Sequence, residues 1–142
     1  NLNRVSKNGN TVLIFAINHG MEKVALKIID NSDKCNLNQT NKYGNTVLMI
    51  AIYFKMEKVA LKILDYPKCN LNKIDEDGYT ALMYAINHKM EKVALKILDY
   101  PKCKLDCVDK KYGETALMIA IRCKMEKVAL KILNYPYNNI EK

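Results

Sequence analysis

The chain has 142 residues, of which 49% are hydrophobic and 27% are charged, and its formal net charge at pH 7 is +8. A chain of this size and composition can bury the core of one ordinary folded domain. No apolar stretch approaches the roughly 18 residues of a membrane-spanning helix, so the sequence predicts no membrane span. The five cysteines are an odd number, which argues against a complete disulfide framework and favours an intracellular location, most simply the cytoplasm.

One octapeptide, Met-Glu-Lys-Val-Ala-Leu-Lys-Ile, occurs four times without change. The copies begin at Met21, Met56, Met90 and Met125, which gives steps of 35, 34 and 35 residues. A fixed period of this length is the signature of a repeat architecture. We therefore divide a single domain, residues 1–142, into repeats 1–35, 36–69, 70–103 and 104–137, with residues 138–142 resembling the opening of a fifth repeat.

Each repeat begins with a polar segment that carries a glycine and, two residues later, a threonine. The pairs are Gly9 and Thr11, Gly44 and Thr46, Gly78 and Thr80, and Gly113 and Thr115. The polar segment predicts an extended turn or hairpin. The threonine stands directly before an apolar run, where its hydroxyl can cap a first helix of about two to three turns.

The octapeptide predicts a second helix in each repeat. One helical face is apolar and the other carries lysines; in the third repeat the apolar face consists of Met90, Val93, Ala94, Ile97 and Leu98. Helices this short are marginal alone, so they must pack against copies of themselves. The predicted fold class is therefore all-α, a solenoid of stacked helix-turn-helix units joined by hairpin-like turns.

This pattern resembles the ankyrin-repeat family over essentially the whole chain. The matching residues in the third repeat are Gly78, Thr80, Leu82, Ala85, Val93, Ile97 and Leu98. The repeat departs from the family at Ala81 and Met83, where the family has proline and histidine. The family's corner glycine survives only as Gly20 and is Lys55, Lys89 and Lys124 in the other repeats. If that corner is left-handed, each lysine costs about 1 kcal/mol.

The four copies differ from one another mainly at the turn tips and at the end of the first helix. The resemblance implies that these two regions line the concave face of the solenoid and contact a protein partner. The candidate partner-binding residues are Tyr43, Asn45, Tyr53, Phe54, Asp77, Tyr79, Asn87, His88, Tyr112 and Arg122.

Aromatic residues concentrate in the second and third repeats of this set. Tyr53 and Phe54 occupy positions that are polar or weakly polar in the other copies, and with Tyr43 and Tyr79 they would form an aromatic patch. Aromatic anchors are overrepresented at interface hot spots, so we interpret the patch as a contact surface. The alternative is that Phe54 only covers the corner of its own helix pair.

One helical turn before these positions, the sequence predicts core residues at Phe15, Ile50, Tyr84 and Ile119.

The cysteines and histidines form no recognisable site. His19 and His88 lie two repeats apart, too far to share a metal or a proton. Cysteines recur every 34 residues, at positions 35, 69 and 103, and we interpret them as small core residues, since repeats about 10 Å apart cannot form disulfides. Three cysteines, at positions 103, 107 and 123, match no zinc template. With no phosphate loop or nucleophile elbow, the sequence predicts no enzyme activity, cofactor, metal or small-molecule substrate.

The favoured function is a non-catalytic, monomeric module for protein–protein interaction that binds its partner through the concave face. A first alternative is a structural spacer within a longer array of repeats. A second, less favoured, is electrostatic binding of nucleic acid through two rows of convex lysines. The rows are Lys23, Lys58, Lys92 and Lys127, and Lys27, Lys62, Lys96 and Lys131. Interleaved glutamates and the scarcity of arginine favour a solvated surface instead.

Overall fold

A computed structural model describes residues 1–31 and 35–136. Eight helices lie within these ranges, in pairs: α1 Val12–Asn18 with α2 Glu22–Ile29, α3 Val47–Tyr53 with α4 Glu57–Leu64, α5 Ala81–Asn87 with α6 Glu91–Ile97, and α7 Ala116–Arg122 with α8 Glu126–Leu133. Across these ranges there is no β-strand beyond an isolated bridge between Thr40 and Thr46. The all-α prediction is confirmed. The predicted opening of a fifth repeat lies outside the described residues.

Each first helix begins at a threonine, as predicted. The hydroxyl of Thr80 accepts a hydrogen bond from the amide of Met83 at 3.2 Å, and Thr11, Thr46 and Thr115 make the equivalent bond. The backbone of every cap is extended. The threonine therefore ends the hairpin and starts the helix within one residue.

The helix pairs stack side by side in two layers. The first helices form one layer in the order α1, α3, α5, α7, and the second helices form the other in the order α2, α4, α6, α8. The core lies between them and is built from equivalent residues of successive pairs, such as Ile17, Ile52 and Ile86, each 0% exposed. Stability therefore depends on the interfaces between pairs as well as on each pair.

Apolar residues at the two ends of the stack are exposed. Ile121 in α7 is the counterpart of Ile86 in α5, yet it is 63% exposed. Val24 in α2 is exposed, whereas its counterpart Val93 in α6 is fully buried. The difference arises because, in the described structure, the outer pairs have a neighbouring pair on one side only.

The same geometry decides which of the predicted core residues are buried. Ile50 and Ile119 are buried as predicted, and Tyr84 is half-buried. The prediction for Phe15 is wrong: its ring is 44% exposed and stacks on the ring of His19. Phe15 faces the side of α1 on which the described structure has no helix pair to cover it.

Hairpin tips of neighbouring repeats are joined backbone to backbone. The bonds run from the amide of Lys42 to the carbonyl of Asn8, from Glu76 to Tyr43, and from Lys110 to Asp77, at 3.1, 3.0 and 2.9 Å. Gly78 has a φ of 83°, and a Cβ placed on it would lie 2.6 Å from the carbonyl oxygen of Val108. This tip therefore requires glycine both for its conformation and for the close approach of the next hairpin.

The corner between the two helices of each pair is left-handed. Gly20 has a φ of 72°, and Lys55, Lys89 and Lys124 have φ values of 57°, 57° and 59°. The corner closes the first helix in the manner of a Schellman motif, with the amide after it donating to a carbonyl five residues earlier. These angles confirm the expected left-handed lysines, each of which carries about 1 kcal/mol of strain.

Replacing Lys89 by glycine should therefore raise the free energy of unfolding by about 1 kcal/mol, because glycine adopts this φ without a steric penalty. Urea titration followed by far-UV circular dichroism measures the change. The control is Lys92→Gly in the first turn of α6, which should lose up to about 1 kcal/mol because glycine is a poor helix former. A Lys89→Gly variant no more stable than the parent protein would contradict strain at this corner.

Lysines of the second helices reach back to the preceding helix pair. The ion pairs are Lys62 with Asp30, Lys96 with Asp65, and Lys131 with Asp99. These aspartates lie one repeat earlier than their lysines, so they are not among the glutamates that interleave with the lysines in the sequence. Pairs this exposed contribute less than about 1 kcal/mol each. They nevertheless neutralise most of one lysine row, which weakens the case for nucleic-acid binding.

Candidate functional site

A cavity of about 280 Å³ opens where the hairpin tips meet the first helices. We call it the groove cavity. Its lining residues are Asn10 and Asn18 from the first repeat, Asn41, Tyr43, Asn45, Met49, Ile50, Tyr53 and Phe54 from the second, and Tyr84 from the third. Stacking at a fixed period brings these side chains together from three repeats without any long loop.

Aromatic rings form the wall of the groove cavity. Tyr53 ends α3 and Phe54 caps it, and their rings meet edge to face with centroids 5.4 Å apart. Tyr53 is 58% exposed and Phe54 is 45% exposed. Tyr43, at the second hairpin tip, is also exposed, and the Nζ of Lys42 lies 5.0 Å from its ring centroid. Large apolar surface is thus open to solvent within one concave site.

Tyr84 joins this wall from α5 and is held by a buried carboxylate. Its hydroxyl donates a hydrogen bond to Asp75, which also accepts bonds from the amides of Asp77 and Tyr79. Burial, followed by the bond to Asp75, raises the pKa of Tyr84, so the phenol is neutral at physiological pH. The ring of Tyr79 packs on that of Tyr84 with centroids 4.9 Å apart. Asp75 therefore fixes both the third hairpin tip and one wall of the cavity.

His88 lies beside the same wall. Its ring centroid is 5.3 Å from that of Tyr53 and 6.3 Å from that of Tyr84. Burial, and then the nearby charge of Lys55, lower the pKa of His88. The imidazole is therefore neutral at physiological pH and adds no positive charge to the wall.

In the third and fourth repeats, the residue before the threonine cap bonds to the end of the first helix. The Nδ2 of Asn87 lies 3.4 Å from the hydroxyl of Tyr79. The guanidinium of Arg122 donates two bonds to the carboxylate of Glu114, at 2.9 and 3.1 Å. The bond to Glu114 raises the pKa of Arg122. These side chains are engaged within their own repeats.

Among the described residues of the first and second repeats, no such bond is found at the equivalent place. Asn10 and Asn45 are the counterparts of Tyr79 and Glu114. The Oδ1 atoms of both asparagines are buried and have no hydrogen-bond partner among the described residues. A buried acceptor left unpaired in this way costs about 1 to 3 kcal/mol. Both asparagines line the groove cavity, but their Oδ1 atoms are themselves closed off from solvent.

Four of the predicted partner-binding residues line the groove cavity: Tyr43, Asn45, Tyr53 and Phe54. Two others contact its wall, since His88 meets Tyr53 and Tyr79 meets Tyr84. The remaining four are not part of the lining: Asp77, Asn87, Tyr112 and Arg122. Tyr112 is an exposed tip residue whose amide donates to Asp109 at 2.8 Å.

Six residues of the cavity lining are absent from the predicted binding set: Asn10, Asn18, Asn41, Met49, Ile50 and Tyr84. The repeat period carries the signal for the first two, because they stand one period before Asn45 and Tyr53. Tyr84 is assigned to the core because its counterparts are apolar. Its hydroxyl group, which the counterparts lack, is the available signal that this position reaches a polar site.

Burial makes two of the five cysteines, Cys69 and Cys103, poor nucleophiles. All five are free thiols. Burial raises the pKa of Cys69 to about 11, and burial together with the nearby Cys107 raises that of Cys103 to about 11. Thiols in this state are protonated at neutral pH and unreactive. Within the part of the chain that the structure describes, no three His, Cys, Asp or Glu side chains converge as metal ligands.

None of the helices in the described ranges has the length and apolar character needed to cross a bilayer.

The comparisons with known proteins agree with the architecture. A family model described as ankyrin repeats (3 copies) matches residues 1–75 and, again, residues 56–142. No curated protein matches the chain. The two family matches together span all four helix pairs, with their threonine caps, left-handed corners and stacked hairpins. The chain therefore belongs to the ankyrin-repeat family.

Proposed function

We propose that this protein is a non-catalytic interaction module that binds a protein partner through the groove cavity and the hairpin tips around it. Ankyrin repeats are generally protein-interaction modules and generally non-catalytic. The observation that carries the proposal is the cluster of exposed rings of Tyr43, Tyr53 and Phe54 at one concave site. Exposed aromatic surface of this kind is typical of an interface with another protein.

The surroundings of the rings support selective binding. The hairpin tips are linked by backbone hydrogen bonds, and Tyr53 and Tyr84 lie on helices. Asp75 holds the third tip through two backbone amides. A partner that docks here would order few additional groups, so little of its binding energy would be lost to conformational entropy.

Replacing Tyr53 by asparagine and Phe54 by histidine should weaken partner binding by about 2 kcal/mol or more, as expected for paired aromatic hot spots. The third repeat carries Asn87 and His88 at these positions, with the same helix and corner geometry, so the double variant should fold. Partners are captured from a lysate of the native host, and peptide ligands are selected from a random library. Isothermal titration calorimetry then gives the dissociation constants.

The matched control is Lys58→Asn, in α4 on the opposite layer, which should leave the affinity unchanged. Peptides that bind the parent protein and the double variant with the same dissociation constant would show that the rings are not the contact surface.

A further inference from the structure

The two ends of the helix stack carry exposed apolar faces. We call the face on the open side of the first helix pair the leading face and the one on the open side of the last pair the trailing face. The leading face consists of Val12, Phe15, Met21 and Val24, and the trailing face of Met118, Ile121, Leu130 and Leu133. We propose that the trailing face of one molecule binds the leading face of a second copy of this chain, so that molecules associate head to tail.

The contacts between helix pairs inside the molecule show how this association would pack. Three times along the chain, the trailing side of one pair packs against the leading side of the next. In the third repeat, the trailing-side residues Met83, Ile86 and Leu98 are buried by the fourth pair. The same residue types at the same positions of the fourth repeat are 48 to 63% exposed. A further helix pair in that place would remove them from water, as it does in the third repeat.

The leading face presents residue types that the internal contacts already pack. Val24 has three valine counterparts, each fully buried, and Val12 has a buried valine counterpart in the second repeat. Methionine fills the position of Met21 in all four repeats. Phe15 has no identical counterpart, but the half-buried Tyr84 shows that its position accepts an aromatic ring. Since the trailing face repeats the third pair residue for residue, the two faces match in side-chain type.

The hairpin tips at the two ends carry matching backbone groups. Internal tips are joined by a bond from the amide of Lys42, Glu76 or Lys110 to the carbonyl of the preceding tip. At the ends of the stack, the amide of Lys7 and the carbonyl of Tyr112 occupy these positions. Neither takes part in a backbone–backbone bond within the described ranges. Head-to-tail association can therefore add a fourth bond to the series.

The association should be weaker than the internal contacts. Lys27 corresponds to the lysines that pair with an aspartate of the preceding repeat, but the aspartate position of the fourth repeat holds Asn134. Separate molecules also lose translational and rotational freedom on binding, a cost that repeats of one chain do not bear. Each copy carries a net charge of +8 and repels the other. The contact should therefore form at high protein concentration, and dilute protein should be monomeric.

The association goes beyond the proposed function and does not depend on it. The groove cavity and the two faces have no residue in common. A row of associated copies would present one groove cavity per molecule along a continuous solenoid, so a partner with several binding segments would be held by more than one copy at once.

Sedimentation equilibrium of the 142-residue chain tests the association from about 10 μM to about 1 mM. The weight-average mass should rise with concentration without levelling off at a dimer, because head-to-tail association leaves a free face at each end. Added salt should strengthen it, since salt screens the repulsion between copies and does not weaken apolar burial. A protein that stays monomeric over this range, or a mass that levels off at the dimer, would overturn the head-to-tail contact.

Two variants block one face each. Ile121→Glu places a charge on the trailing face, and Phe15→Glu places one on the leading face. Both residues are exposed, so both variants should fold, which circular dichroism checks. Each should weaken self-association at least about tenfold. The control is Lys58→Asn in α4 of the second pair, which lowers the net charge by the same amount and should associate like the parent protein.

A mixture of the two blocked variants distinguishes head-to-tail contact from contact between identical faces. Each variant keeps the face that the other has lost, so an equimolar mixture should form a one-to-one dimer and nothing larger. If identical faces met, one of the two variants would still associate with itself and mixing would restore nothing. That pattern, or association that persists in both variants alone, would overturn the proposal.

Discussion

Replacing Ile86 by alanine should lower the free energy of unfolding by about 3 to 4 kcal/mol, whereas Ile121→Ala should change it by less than about 0.5 kcal/mol. The two isoleucines occupy the same place in α5 and α7. Ile86 is 0% exposed and Ile121 is 63% exposed. Truncation of Ile86 removes buried methyl groups and leaves a cavity between helix pairs, while truncation at Ile121 removes surface already in contact with water.

Urea unfolding measures both losses, provided that circular dichroism and tyrosine fluorescence give coincident transitions. The pair forms its own control, because residue type, helix and position within the repeat are matched. The two sites differ only in that Ile86 packs against a following helix pair, whereas the described structure has no helix pair beyond Ile121. Similar losses for the two variants would mean that stability resides within each pair and not in the contacts between them, which contradicts the stacked core.

Gly78→Ala should destabilise the protein by about 3 kcal/mol or more, and Gly113→Ala by only about 1 kcal/mol. Both glycines have positive φ, 83° and 67°, so alanine is strained at either site. At Gly78 the added Cβ would also lie 2.6 Å from the carbonyl oxygen of Val108, whereas at Gly113 it meets nothing within 4 Å. A backbone carbonyl cannot rotate away as a side chain can, so the neighbouring hairpins must separate.

Separation of these hairpins has a local signature. The amide of Lys110 donates to the carbonyl of Asp77 at 2.9 Å across the same contact. In Gly78→Ala, this amide should exchange its hydrogen with solvent faster than in the parent protein, relative to amides in α4. Gly113→Ala should leave it protected. Equal stability of the two alanine variants, with Lys110 protected in both, would contradict a steric requirement for glycine at the third tip.

The architecture can be predicted from the sequence because the signals for each helix, cap and corner lie within a few residues of one another. The same signals recur in all four repeats. The threonine caps follow from Thr80 and its counterparts standing before apolar runs, and the left-handed corner follows from Gly20 occupying a place where the other copies have lysine. Both depend on residues within a few positions of one another. Four copies with the same pattern leave no competing arrangement for the apolar faces.

The site is less predictable because its properties arise between repeats. The internal differences among copies select Tyr43, Tyr53 and Phe54, which do share one cavity. They do not reveal that Asp75 holds Tyr84 in the wall, since that bond depends on how a hairpin folds over the helix that follows it. The ion pairs between lysines and aspartates of adjacent repeats are hidden for a similar reason. The exposure of Phe15 depends on neighbours, not on residue type.

The three hydrogen bonds between hairpin tips described above join main-chain atoms, so they do not depend on which side chain stands at the accepting position. Asn8, Tyr43 and Asp77 accept the same bond although they differ in size and charge. Point mutations at these three positions can alter what the surface recognises while the backbone hydrogen bonds between the hairpins stay intact. A duplicated repeat would inherit these backbone hydrogen bonds unchanged. Substitutions at its hairpin tip would then be enough for the protein to acquire a new partner during evolution.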